Sequence, residues 1–462
     1  MQTIPSTGNL STKGGANLLG ISMIAALAGF IFGFDTVVIS GANLPIKALW
    51  HTSTWFHGFF IMSMALWGTV VGSMYGGVPT EKYGRKKVLL WIGILFSLSA
   101  IGSSLAQDPY TFSFFRFIGG LGIGVSSVAA PTYISEISTP KTRGRLGAMY
   151  QFNIVFGILI AFLSNYFLQG RGGVNDWRWM LGVMAIPSII YTVMVTSIPE
   201  SPRWLLSVKK NAVAAKAVLL RLGVSNAEEE VLSITASNEH EAKTGGSTRF
   251  FGSKYKTIIW LAFMVAFFNQ WSGINFILYY APEILERAGL AAKDSLFNSI
   301  AIGGTNLVFT FLGLYLIDKA GRKTLLIIGS IGYILSLSMV AWAFYSGASA
   351  GFLLLFLLLF IASHAVGQGA VIWVFISEIF PNRVRAKGQS FGASVHWVFA
   401  ALITLITPAF LDKDTGIFKD NPWPIFAFFA FMMVMQLVWV LTRVPETKGV
   451  SLEDLEKKLV KD

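Results

Sequence analysis

The sequence contains no cysteine, and only 13% of its 462 residues are charged. The first absence rules out disulfides, thiolate nucleophiles and cysteine-held metals. The second, with a hydrophobic share of 54% and a mean hydropathy of +0.61, takes the chain far from the composition of soluble domains. Histidine is scarce as well, at five residues. No metal-ligand cluster, nucleophile elbow or nucleotide-binding loop is found, so an enzyme is not expected, nor a metal or other cofactor. Acid is in short supply, with 24 Asp and Glu against 36 Lys and Arg. The first acid, Asp35, sits in 29-GFIFGFDTVVISG-41 with no other before it and no cation after it until Lys47. A charge inside hydrocarbon costs roughly 2.5–3.5 kcal/mol on insertion scales, so the position calls for a reason.

What the chain has in abundance is long apolar runs. Stretches able to cross a core of ~30 Å, at about 20 residues each, lie at 17–40, 54–79, 88–107, 110–135, 146–169, 178–198, 257–282, 295–317, 324–346, 351–380, 388–411 and 423–442. Twelve spans place both termini on one side, together with 82-KYGRKK-87, 141-KTRGR-145, segment 199–256, 319-KAGRK-323 and 383-RVRAK-387. That side holds 28 of the 36 Lys and Arg against seven on the other, with Arg116 alone inside a span. The positive-inside rule makes the basic side cytoplasmic in a cell (inner) membrane protein. The net charge of +12 therefore follows topology, and no nucleic-acid partner is expected. The first span is too long for a signal h-region and lacks a cleavage pattern, so it is read as retained.

A weak internal repeat divides the chain. 81-EKYGRKK-87 recurs as 318-DKAGRKT-324, 136-EISTPKTRGR-145 as 378-EIFPNRVRAK-387, and 199-PESPRW-204 is echoed by 445-PETKG-449. Six spans on each side of such a repeat describe a duplicated carrier whose site lies between the halves near mid-membrane. The expected organisation is an all-α membrane protein: a six-helix half at 1–200, a helical linker at 201–256, a second half at 257–445 and a tail at 446–462. The linker reads as an amphipathic helix at 210–223, then 228-EEE-230 and the small polar piece 244-TGGST-248.

These motifs resemble the sugar porter family of the major facilitator superfamily. 77-GVPTEKYGRKK-87 and 318-DKAGRK-323 are similar to its loop signatures. 116-RFIGGLGIG-124, 199-PESPRW-204, 270-QWSGINFILYYAPEI-284 and 445-PETKG-449 are similar to signatures of the sugar branch. The resemblance implies a bacterial-type monosaccharide:proton symporter, working as a monomer. It also implies a cytoplasmic ion-pair network that locks the outward-facing state. The acids for it are Glu81, Glu136, Glu200, Asp318, Glu378 and Glu446, and the cations Arg85, Arg143, Arg203, Arg322 and Arg385, since Arg suits bidentate carboxylate pairing. Solvated loop charges that serve topology alone are the plainer reading.

Polar residues inside apolar spans mark the candidate sugar site. Gln151, Asn269, Gln270, Asn275 and Asn306 offer amide donors and acceptors that match hydroxyls. Residues 271, 275 and 279 are spaced by four, so Asn275 and Tyr279 share a helical face, with Gly273 able to loosen the helix. Interhelical glue is the alternative use of such amides. Trp373 and Trp397 supply indole faces and edge donors for a sugar ring. By motif position, the resemblance also assigns Phe32, Gln151, Gln270, Asn275, Asn306 and Gly369 to sugar contact.

Departures from the family pattern bear on the cargo. Asn269 replaces a glutamine, and Ile158 stands where some proton-coupled members have another. His396, before Trp397, and His364 resemble a fructose-carrying branch, whereas that branch lacks the tryptophan kept here as Trp373. Hexose or pentose, with fructose, glucose or xylose as candidates, is the expected cargo, and packed neutral histidines are the alternative. In the proton-coupled members an Asp and Arg matching Asp35 and Arg116 face each other. An opposite charge favours the ionised acid and burial the neutral one, so a conformation that moves Arg116 away favours protonation. A static ion pair is the competing reading, and Met184 stands where some symporters carry a second acid. A passive uniporter and a non-transporting sensor are the other classes. Known sensors tend to carry long tails, whereas about 20 residues follow the last span here.

Overall fold

The computed structural model describes residues 12–139, 142–244, 250–381, 383–450 and 452–460. Among these it contains helices and no strand. The spans are α1 (Thr12–Trp50), α2 (Thr54–Tyr75), α3 (Arg85–Leu105), α4 (Pro109–Ile137), α5 (Arg143–Leu168), α6 (Gly173–Ser197), α7 (Ser253–Arg287), α8 (Ala292–Ala320), α9 (Arg322–Ser346), α10 (Ala350–Ile379), α11 (Arg385–Leu411) and α12 (Trp423–Arg443). Eleven are long and apolar enough to cross a membrane, and twelve when α2, bent by 44° after Met62, counts as one.

Small residues set how the spans meet. Gly33 of α1 lies against the backbone at Ile154 of α5, and Gly157 against Phe30, so a Cβ at either would strike main chain. Gly120 and Gly124 of α4 do the same against Ala65 and Thr69 of α2. Small-residue faces let helices approach closely where lipid supplies no hydrophobic drive. Asp108 starts α4 by accepting from the Tyr110 and Thr111 N–H groups, with Pro109 in the first turn.

Several elements depart from the sequence-derived bounds. α1 runs on to Trp50, because Ala42 and Ile46 are wholly buried and reward continuing the helix past Gly41. The expected span 257–282 is two helices, Lys256–Trp271 and Ile274–Arg287, parted at Gly273 with φ +87°. The four-residue spacing of 271 and 275 therefore spans a break; Trp271 instead packs among Phe267, Phe399 and Phe428. In the linker, short helices cover Pro202–Ser207, Ala212–Arg221 and Ala227–Thr244. Glu228–Glu230 thus open a helix, where acids suit the positive end of the dipole. Residues 245–248 of the small polar piece lie outside the described residues.

The halves meet unevenly. At the end away from the linker, here the far end, Gly58 of α2 sits on the backbone at Leu405 of α11. There Asn43 of α1 bonds Glu283 of α7, and Lys47 pairs with Asp412 beyond α11. Ile39, Ile46 and Ile284 are fully buried at that closure. Toward the linker, or basic, end the interior loosens. Trp373 of α10, which faces His396, keeps 38% of its surface exposed. The halves are thus closed on each other at the far end, while Trp373, nearer the basic end, stays exposed.

Candidate functional site

Two constellations meet where α1, α4, α7, α10 and α11 converge. The first is ionic. Asp35 of α1 and Arg116 of α4 are 0% and 1% exposed. Arg116 Nη1 donates to Asp35 Oδ1 at 2.5 Å, and Nη2 approaches the Asp35 carbonyl oxygen at 3.3 Å. Asp35 Oδ2 and Arg116 Nε have no partner among the described residues. A bidentate fork would have used both carboxylate oxygens; this pair leaves one of them without a bond among the described residues. Burying two charges is expensive, and removing one partner from such a pair costs about 3–5 kcal/mol.

The second constellation is uncharged and sits beside the α7 break. Gln270, on the last turn before Ser272, is 1% exposed. Its amide nitrogen lies 3.0 Å from Asn269 Oδ1 and 3.1 Å from His396 Nε2, and its oxygen accepts from Asn275 Nδ2 at 2.9 Å. The break lets one amide reach forward to Asn275, five residues on, which an unbroken helix would carry to the other side. The His396 ring packs edge-on to Trp397 at 4.8 Å and against Trp373 at 5.1 Å. Trp397 meets Phe32 across the interface at 5.6 Å, and its buried Nε1–H has no acceptor among the described residues. Amides on one side, indole faces on the other and an idle donor between them match a ring whose hydroxyls point sideways and whose C–H groups form the face.

The two sets are connected. Phe32 lies three residues before Asp35 on α1. Tyr279 of α7 contacts the Thr36 hydroxyl and stands in the field of the Asp35–Arg116 pair.

Other expected residues fall in different places. Gln151 is half-buried and Asn306 buried, and neither makes a side-chain hydrogen bond among the described residues. Gly369 lies in a π-helical turn, Ala365–Gly369, where a Cβ would meet His364. His364 is turned to Tyr333, whose hydroxyl lies 2.7 Å from its Nδ1, and not to the amides. Ile158 and Met184 are buried and apolar.

The charged motifs form two clusters at the basic end, each within one half. Arg85 Nη2 donates to Glu136 at 2.7 Å, and Glu200 accepts from the Arg85 and Lys86 N–H groups. Arg322 grips Glu378 through Nε and Nη2 at 3.0 and 2.7 Å and touches Asp318 at 3.3 Å. Glu446 accepts from the Arg322 and Lys323 N–H groups. Arg385 Nε donates to the Phe380 carbonyl. Glu81, Arg143 and Arg203, expected in this network, make no ion pair among the described residues. Glu81 and Arg143 point outward, and it is the Glu81 carbonyl that serves, as acceptor for Trp204 Nε1. Loop proximity in sequence does not set side-chain direction.

Sequence reasoning passed over the far-end polar group of Asn43, Lys47, His57, Glu283 and Asp412. The signal for Glu283 was present, an acid in the apolar 274-INFILYYAPEI-284. It fell one residue beyond the span drawn to 282.

A bundle of this kind, two six-helix halves around a central polar site, defines a membrane carrier and not an enzyme. The chain matches the family described as "Sugar (and other) transporter" over residues 21–459, and it belongs to that family. It is 35% identical to the arabinose-proton symporter of Bacillus subtilis, covering 96% of this chain and 95% of that one. It is 32% identical to the D-xylose-proton symporter of Escherichia coli K12, covering 95% of each. The fold superposes on the inward-open xylose transporter of E. coli with a TM-score of 0.83 at 31% identity, over 96% of this chain and all of that one.

Proposed function

We propose that this protein imports a monosaccharide together with a proton by alternating access, with Asp35 as proton carrier and Arg116 as its counter-ion. The observation that carries the reading is the buried, singly bonded Asp35–Arg116 pair one helical turn from Phe32, at the edge of the amide and indole cluster. Relatives named as arabinose- and xylose-proton symporters support it.

Gln270, Asn269, Asn275 and His396 hold the hydroxyl edge of the sugar, with Gln151 and Asn306 as further amides. Phe32, Trp373 and Trp397 cover its face, and Tyr279 stands between sugar and pair. The basic end faces the cytoplasm, by the charge bias of the loops, so the structure is the inward-facing form. In the cycle, Asp35 takes a proton outside and releases Arg116, sugar binds, and the loaded carrier turns inward. Sugar and proton leave toward the basic end, and the pair re-forms. The clusters around Arg85 and Arg322 hold the helix ends of each half together as it rocks.

Counterflow in proteoliposomes against a panel of hexoses, pentoses and polyols tests the cargo. One monosaccharide group should exchange, with alkalinisation of the medium during net uptake. Exchange with no pH change points to a passive uniporter. His396→Gln should reorder fructose against glucose or xylose; an unchanged order removes the histidine from the selectivity site.

A further inference from the structure

The polar group at the far end belongs to neither the pair nor the amide cluster, and it crosses the interface between halves. Asn43 Nδ2 donates to Glu283 Oε2 at 2.7 Å, with Asn43 2% and Glu283 8% exposed. The amide oxygen of Asn43 lies 2.7 Å from His57 Nε2, which fixes which end of the amide faces the acid. Lys47, one turn further along α1, pairs with Asp412 of the other half. A carboxylate sealed between helices is disfavoured unless its bonds need it, and here its bond is to the opposite half.

Glu283 also lies on the same helical segment as the amide site. Asn275 and Tyr279 share a face of Ile274–Arg287, and a kink at Tyr280 (φ −118°, ψ 16°), with Pro282 beyond it, sets the turn that carries Glu283 apart from them. That segment begins at Gly273, whose φ of +87° is a natural pivot.

We propose that Glu283 is the latch of the far-side gate. Its bond to Asn43, backed by Lys47–Asp412, holds the second part of α7 against α1.

The absence of cysteine makes a direct test simple. Ser40 lies on the stripe of α1 between Thr36 and Asn43, is 4% exposed, and its hydroxyl has no partner among the described residues. Ser40→Cys therefore breaks no bond and reports far-side opening by its rate of maleimide labelling in nanodiscs, without sugar. Glu283→Ala and Asn43→Ala should each raise that rate about fivefold or more, as expected when a buried hydrogen bond is lost and its partner is left unsatisfied. Glu283→Gln, which keeps an acceptor for Asn43, should raise it about twofold. Unfolded variants are recognised by melting and by full labelling in denaturant, and the Gln variant then carries the test. Equal rates in all folded variants overturn the latch.

Discussion

The two halves build the same cap at their basic ends and finish it differently. In each, a glycine with positive φ, Gly84 at +96° and Gly321 at +92°, delivers the chain into a span. A glutamate from the end of the half then accepts from the first two N–H groups of that span, Glu200 for α3 and Glu446 for α9. An acid at the start of a helix meets both its unpaired donors and its dipole.

The second half completes the arrangement. Arg322 holds Glu378 with two bonds, and the Thr447 hydroxyl donates to the same carboxylate at 2.6 Å. In the first half Arg85 holds Glu136 with one, leaving Arg85 Nε and Glu136 Oε2 buried without partners among the described residues. Repetition of a motif in sequence preserves the backbone device but not how fully its side chains are satisfied. The first half is the looser of the two.

The largest effect should come from deleting the arginines. Arg322→Ala should destabilise by about 3–5 kcal/mol, because it strands Glu378 inside its cluster, and Arg85→Ala by roughly half as much. Thermal unfolding of the detergent-purified variants measures both, and equal losses erase the asymmetry.

Next come the glycines, where the halves should agree. A Cβ at Gly84 would press on the Glu200 carboxylate, and one at Gly321 on that of Glu446. Gly84→Ala and Gly321→Ala should each cost about 1–3 kcal/mol for the strained backbone. A large difference between them would place the asymmetry in the backbone instead of the side chains.

Conservative swaps should be smaller and more telling. Arg322→Lys loses a two-pronged grip and should cost about 1–2 kcal/mol. Arg85→Lys, which replaces one prong by one ammonium, should cost less than about 0.5 kcal/mol.

The smallest predicted effect is of pH. Burial pushes the Glu200 carboxyl up, against the pull of three backbone N–H groups and Arg85. At Glu446 burial acts in the same sense, but four backbone N–H groups outweigh it and hold the carboxyl below its usual range. An acid held low when folded stabilises above its unfolded value and loses that contribution on acidification. One held high loses its contribution as pH rises. Between about pH 7 and pH 4, hydrogen-exchange protection at Arg322 and Lys323 should therefore fall relative to that at Arg85 and Lys86. The opposite trend contradicts these assignments.

Much of this architecture was legible in the chain because membranes write in large letters. Apolar runs, the basic loops and the repeated -GRK- turns marked the spans and halves. Asp35 and Arg116 stood out as charges in hydrocarbon, and the structure brings them together from 81 residues apart. Other features depended on three-dimensional direction. The Glu200 bond to Arg85 links residues 115 apart through a backbone N–H, which no side-chain pattern announces. Arg143 and Arg203 share loops with acids yet form no ion pair among the described residues. The α7 break was only hinted at by Gly273, and placing the span end at 282 hid Glu283 from the reasoning that found Asp35.

The central claim is that Asp35 carries the proton, and Asp35→Asn tests it most directly. In proteoliposomes the variant should retain sugar counterflow, which needs no net proton movement, while losing accumulation driven by an imposed pH gradient. Accumulation by Asp35→Asn at the wild-type level would contradict the account.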